Sequence, residues 1–119
     1  MELSLEPLPD GVVIARTSGP LDDSAWPPFQ QQLMPIVRQY NGRLVIDVSG
    51  SEKITSSGLS VLVKLVAEAH THRSRVAVAA PPAFVRSVLK VTKLDTYIDV
   101  LDTLQAAVQH VTAGPQGPA

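Results

Sequence analysis

The sequence contains no cysteine. That excludes a disulfide framework, a cysteine-type zinc site and thiol chemistry. Aromatic residues make up only 4% of the 119 residues, too few to build base-stacking platforms. Neither sign of charge dominates: 10 Lys and Arg stand against 11 Asp and Glu, a formal net charge of −1. Neither a basic nucleic-acid binder nor an acidic tail is indicated. Long apolar runs are missing as well. The longest nearly uncharged stretch, Leu59 to Ala69, is interrupted by Lys64 and Glu68 and is too short and too charged to span a membrane. Met1-Glu2-Leu3-Ser4 has no basic segment leading into an apolar core, so no signal peptide is expected. What is present is a hydrophobic content of 45%, enough for one buried core in a chain of this length. The expectation is one cytoplasmic domain over residues 1–112, followed by a Gly- and Pro-rich flexible tail over residues 113–119.

Local patterns divide the chain into alternating strands and helices. Leu3-Ser4-Leu5 alternates as a short strand does, and Pro9-Asp10-Gly11 is a turn leading into a β-branched strand, Val12 to Thr17. Helix signals start at Asp22-Asp23-Ser24, where a side-chain oxygen can cap. Trp26, Phe29, Leu33, Val37 and Tyr40 then mark one apolar face. Pro27 and Pro28 fit a first turn, but Pro35 predicts a bend or a split. Leu44 to Val48 reads as a buried strand and Ser49 to Thr55 as a loop. Ser56 to His70 is the clearest helix, with Leu59, Leu62, Val63, Val66 and Ala69 on its apolar stripe. Arg75 to Ala80 is a strand, and Pro81-Pro82 opens a short helix with Phe84, Val85, Val88 and Leu89 inward. Tyr97 to Val100 is a last strand. Asp102 is expected to cap a terminal helix whose Leu104, Val108 and Val111 face in. This order implies an α/β fold with a largely parallel sheet and an antiparallel start.

The best candidate for chemistry is Thr55-Ser56-Ser57-Gly58-Leu59, where a loop becomes a helix. Its hydroxyls sit among unpaired backbone N–H groups at the positive end of the helix dipole. Such a place accepts an anion, and a phosphoryl group on Ser56 or Ser57 would add about −1.5 to −2 charges. The plain alternative is that these hydroxyls are simple N-caps. Asp22, Asp23 and Asp47 raise the possibility of a response-regulator receiver, but the acidic pair precedes the first helix instead of ending a first strand, and no Lys follows a final buried strand. His70 and His72 are two apart and do not share a helix face, as metal ligands would. They and the nearby Arg73 and Arg75 read as partners of a helix C-terminal dipole. No Gly-rich phosphate loop, Ser-His-Asp arrangement or H-E-x-x-H motif is visible, so no enzyme is expected.

The segment Leu44-Val45-Ile46-Asp47-Val48-Ser49, followed by Ile54-Thr55-Ser56-Ser57-Gly58-Leu59-Ser60-Val61-Leu62, resembles the STAS domain. More closely, it resembles the anti-sigma factor antagonists of bacterial partner-switching systems. In these a D-S-[SA]-G-L signature opens a helix after a strand and a short loop. Ser18-Gly19-Pro20-Leu21-Asp22 resembles the family's T-G-x-L-D. Ala80 to Leu89 with Val91-Thr92-Lys93-Leu94 resembles its strand, short helix and terminal Leu. The likeness spans roughly residues 3 to 112. It implies a STAS-like α/β fold of about five strands and about four helices. It assigns the phosphorylated serine to Ser56 and partner contacts to Asp22, Thr55, Ser57, Gly58 and Leu59. Two positions depart from the pattern: the signature Asp is Thr55, and the frequent Gly before the last Leu is Lys93.

Two functions are compatible with these residues. The resemblance implies a switch. The unmodified chain binds a serine protein kinase that is also an anti-sigma factor, phosphorylation of Ser56 releases it, and a serine phosphatase resets it. ATP and metal belong to those partners, so the chain itself needs no cofactor. It would act as a monomer or weak dimer, without nucleic acid or membrane insertion. The alternative is a STAS scaffold that is never phosphorylated, as a soluble subunit of a transport or signalling complex; Thr55 in place of Asp favours it.

Overall fold

A computed structural model of the chain describes residues 1–112; the expected tail over 113–119 lies outside the described residues. Five strands form one sheet in the order β1-β2-β3-β4-β5. They are β1 (Glu2–Pro7), β2 (Val12–Ser18), β3 (Arg43–Gly50), β4 (Arg75–Ala79) and β5 (Asp99–Leu101). β1 pairs antiparallel with β2, and every later pair is parallel. This simple order differs from that of a receiver, whose first strand lies inside the sheet, and it removes the receiver reading.

Parallel neighbours need crossovers of fixed hand, which places successive helices on one face. Here these are α1 (Trp26–Pro28) and α2 (Met34–Val37), joined by a π-helical stretch, then α3 (Ser56–Thr71) and α4 (Ala83–Val91). They cover Ala15, Leu44, Ile46, Val48, Val76 and Val78 in the larger core. The last helix, α5 (Leu104–Thr112), folds back over the opposite face. Its Ala107 and Val111 pack with Val12, Ile14, Val45, Ala77 and Ala79. Counting α1 and α2 as one segment gives four helices, as the sequence pattern implies.

Pro35 lies at the second position of α2, and the first helical segment is divided just before it. The π-helical stretch Phe29–Leu33 precedes α2, and the Met34 N–H bonds back to the Phe29 carbonyl, five residues earlier. The wider turn absorbs the hydrogen bond that proline lacks and the carbonyl its ring would strike.

Several inward positions shift from the expected ones. The first helical segment ends at Val37, so Tyr40 lies beyond it and is 77% exposed; Ala25 and Met34 are buried with Phe29 and Leu33. On α3, Leu59 and Val63 are half-buried, while Val61 and Leu65 are buried. On α4, Val85 and Leu89 face in and Phe84 faces out. β5 starts at Asp99, because a 3-10 turn, Leu94–Thr96, holds the preceding residues and Tyr97 follows it outside the strand. Asp102 does not cap α5. The Ala106 N–H donates to Thr103 Oγ1 at 3.0 Å, and Asp102 pairs instead with Arg86 at 2.8 Å. Arg75 belongs to β4 and donates to the His110 carbonyl in the last turn of α5, 3.2 Å away. Lys93 stands at φ 60°. This left-handed conformation explains the glycine of the family pattern, since a side chain there costs about 1–2 kcal/mol.

Candidate functional site

Parallel strands deliver their following loops to one edge of the sheet. At that edge the β2–α1 connection meets the β3–α3 loop, and the two are laced together. The Gly19 N–H donates to Gly50 O at 3.1 Å, and the Leu21 N–H to Lys53 O at 2.9 Å. The Thr55 N–H returns a bond to Leu21 O at 3.0 Å. Leu21 and Ile54 form a parallel bridge, so the β2–β3 pairing continues into the loops. Underneath, two buried hydroxyls meet: Thr17 Oγ1 and Ser51 Oγ are 2.7 Å apart. A hydroxyl pair satisfies both buried groups, where either alone would cost about 1–3 kcal/mol.

Gly58 lets α3 approach this lacing. It is buried, and a Cβ added there would collide with the Leu21 carbonyl and lie 3.2 Å from the Asp22 nitrogen. Only glycine allows Asp22 to sit beside the start of α3. Asp22 therefore lies beside the Thr55-Ser56-Ser57-Gly58 start of α3, with Leu59 half-buried behind it.

Within the cluster the cap and the free hydroxyls are different residues. Thr55 is the N-cap: its backbone is extended and its Oγ1 accepts from the Gly58 N–H at 3.2 Å. Its carbonyl accepts the first helical bond, from Leu59 N–H at 2.9 Å. Ser56 and Ser57 follow as the first two helical residues. Both are exposed. Their hydroxyls and N–H groups have no hydrogen-bond partner among the described residues. The helix has no acidic residue in its own first turn, so the nearest negative charge at its N-terminus, where the dipole is positive, comes from outside the helix.

The Asp22 carboxylate turns away from the serines. It accepts from the Ser24 N–H at 2.9 Å and from the Ser24 hydroxyl, capping a 3-10 turn over Asp23–Ala25. The Ser24 hydroxyl and then its N–H hold the Asp22 carboxyl below its ordinary value. Of the residues that build the site, Thr17 and Ser51 carry no sequence signal for it, and Leu21 enters only through the S-G-P-L-D resemblance. Leu21 acts through its backbone, and the hydroxyl pair joins residues 34 apart. His70 is exposed and meets Tyr97 edge-on, while His72 pairs with Glu68. No cluster of three metal-ligating side chains occurs among the described residues.

The family model described as "Mlab, STAS domain" matches residues 8–106. The chain belongs to the STAS domain family. Solved structures agree. A candidate anti-sigma factor antagonist from Thermotoga maritima superposes with a TM-score of 0.81 at 24% identity, covering 92% of this chain and 94% of its own. An anti-sigma factor antagonist from Mycobacterium paratuberculosis gives 0.78 at 27% identity, over 93% of both chains. A sulfate transporter family protein from Wolinella succinogenes gives 0.76 at 12% identity, over 90% and 89%. No curated protein sequence matches the chain. Among the described residues of this STAS domain, no helix is long and apolar enough to cross a membrane. The T-S-S-G-L stretch, residues 55–59, thus opens the main helix of a STAS fold, beside the acidic residue that ends the S-G-P-L-D stretch.

Proposed function

We propose that this STAS domain is an anti-sigma factor antagonist-like switch whose phosphoacceptor is Ser56. One observation carries the reading: Thr55 takes the capping bond, which leaves the Ser56 hydroxyl exposed and unbonded at the helix N-terminus. A serine that capped its own helix would have to give up that bond to be modified. Ser56 does not. The likeness to the anti-sigma factor antagonist from Mycobacterium paratuberculosis, at 27% identity over almost the whole chain, supports the antagonist part of this reading.

The mechanism is electrostatic. Unmodified, the surface around Ser56 docks on a serine kinase that also acts as the anti-sigma factor, and so frees that protein's other client. A phosphoryl group on Ser56 places close to two negative charges at the centre of the contact, where desolvation is costly. The complex separates, and a serine phosphatase restores the hydroxyl. ATP and metal are the partners' reagents. Gly58 contributes by admitting Asp22, and Leu59 by its half-buried side chain. Against a formal charge of −1, one phosphate roughly triples the net negative charge. In a binding assay with such a kinase, Ser56→Ala keeps the affinity and Ser56→Asp lowers it. Equal affinity for both variants removes the switch and leaves a scaffold that is never phosphorylated.

A further inference from the structure

An open groove of about 330 Å³ lies between the first helical segment and α3. The π-helical stretch shapes one of its walls. Trp26 and Met34 are eight residues apart, and in a regular α-helix they would stand about 80° apart around the axis. The wider turn over Phe29–Leu33 takes up much of that rotation, and both side chains line the groove. Met34 is buried and Trp26 half-buried. On the α3 side the groove is bordered by Ala67, which is exposed and too short to fill the space. Short π-helical stretches recur at functional sites, and this one sets the aromatic ring and the thioether side by side.

Among the charged side chains of the groove, one lacks a counter-ion. Glu68 is the single acid that lines it. Its Oε2 accepts from Arg38 Nε at 3.1 Å and lies 3.6 Å from His72 Nδ1, so two basic groups already share it. Lys64 meets no carboxylate among the described residues. Its Nζ rests over the Trp26 ring, 4.7 Å from the centroid. The ring face attracts the ammonium but carries no net charge to neutralise it. We propose that this groove binds a small apolar carboxylate, whose anionic end pairs with Lys64 and whose short chain lies over Ala67 and Met34, beside the Trp26 ring. Its volume falls at the lower end of the range for small-molecule pockets, about 300–1,000 Å³. A partner protein would need roughly 800 Å² of contact on each side, far more than the groove offers. One uncompensated cation is too few to hold an anionic membrane surface, which takes clusters of about four to eight.

Trp26 is the only tryptophan, so its fluorescence reports on the groove directly. The test titrates the full chain with sodium hexanoate and, at equal ionic strength, with hexanamide, hexylamine and sodium acetate. Hexanoate gives a saturable change in Trp26 emission, shifts the amide signals of Met34 and Ala67 in NMR spectra, and binds roughly tenfold more tightly than the other probes. Lys64→Gln weakens hexanoate roughly tenfold and leaves hexanamide unaffected. Ala67→Leu, at an exposed position, fills the groove and weakens hexanoate by a similar factor without lowering Tm. Acetate binding as tightly as hexanoate, the sign of a bare contact between a lysine and an anion, overturns the proposal. So do hexanoate binding unchanged by Lys64→Gln, amide shifts confined to other parts of the molecule, or no saturable response. Saturable binding of a Glu-rich helical peptide at Met34 and Ala67, with none of hexanoate, also overturns it. No arm of the test involves phosphorylation, so its failure leaves the Ser56 switch standing.

Discussion

Two helices of this protein begin with the same local chemistry. Thr55 caps α3 by accepting from the Gly58 N–H at 3.2 Å, and Thr103 caps α5 by accepting from the Ala106 N–H at 3.0 Å. In both, the threonine carbonyl takes the first helical bond, at 2.9 Å and 3.1 Å. An aspartate stands near each start. Only at α3 is a second loop laced over the cap, and only there do two exposed serines follow it. At α5 the next residues are Leu104 and Gln105, and Asp102 is drawn off to Arg86. A cap alone therefore says nothing about function. The site is made by a neighbouring loop that fixes the cap in place, and by hydroxyls left over once capping is done.

The largest expected difference lies at the third residue after each cap. Gly58→Ala forces the Leu21 carbonyl away and should cost about 2–3 kcal/mol, as overpacking does. Ala106→Gly, the reverse change in α5, should cost about 1 kcal/mol from helix propensity alone. Denaturant unfolding measures both, and equal costs would erase the distinction. Next come the caps. Thr55→Ala should cost about 1–2 kcal/mol, because the lost cap also loosens the Leu21 contact, and Thr103→Ala about 0.5–1 kcal/mol. Amide exchange should rise at Leu21 and Thr55 only in the first variant.

The smallest effect is acidic. The Asp22 carboxyl is held below its ordinary value by the Ser24 hydroxyl and N–H. Folding therefore favours the ionised form. The stability this adds is present above the ordinary carboxylate pKa of about 4 and is lost as pH falls through the lowered value. Asp22→Asn should make the fall in Tm between neutral and acidic pH slightly shallower. An unchanged or steeper fall would detach Asp22 from the Ser24 contact.

How far each feature could be read from the residues follows from its range. β3 and the start of α3 are legible because Leu44 to Val48 is continuously apolar and Thr55-Ser56 is a local cap signal. Phe84 and Tyr40 mislead, since periodicity reports a helix face but not where the helix ends or which flank lacks a neighbour. The Asp102 assignment errs by one position, because Thr103 offers an equally good oxygen and Arg86 competes for the carboxylate. The Thr17–Ser51 pair and the Leu21 backbone bonds were hidden, being long-range and made partly by main-chain atoms that every residue carries. Asp22 and Gly58 were placed by likeness to a family pattern; their physical reason, a loop backbone lying on a glycine, appears only in three dimensions.

Ser56, freed from capping by Thr55, is the proposed carrier of the regulatory phosphate. Phosphosite mapping by mass spectrometry on the chain recovered from its own cells, before and after serine phosphatase treatment, tests it most directly. One phosphoryl group is expected on Ser56 and none on Thr55, and phosphatase treatment removes it. A chain without phosphate at Ser56 under every growth condition sampled, or with phosphate on Thr55 instead, would contradict it.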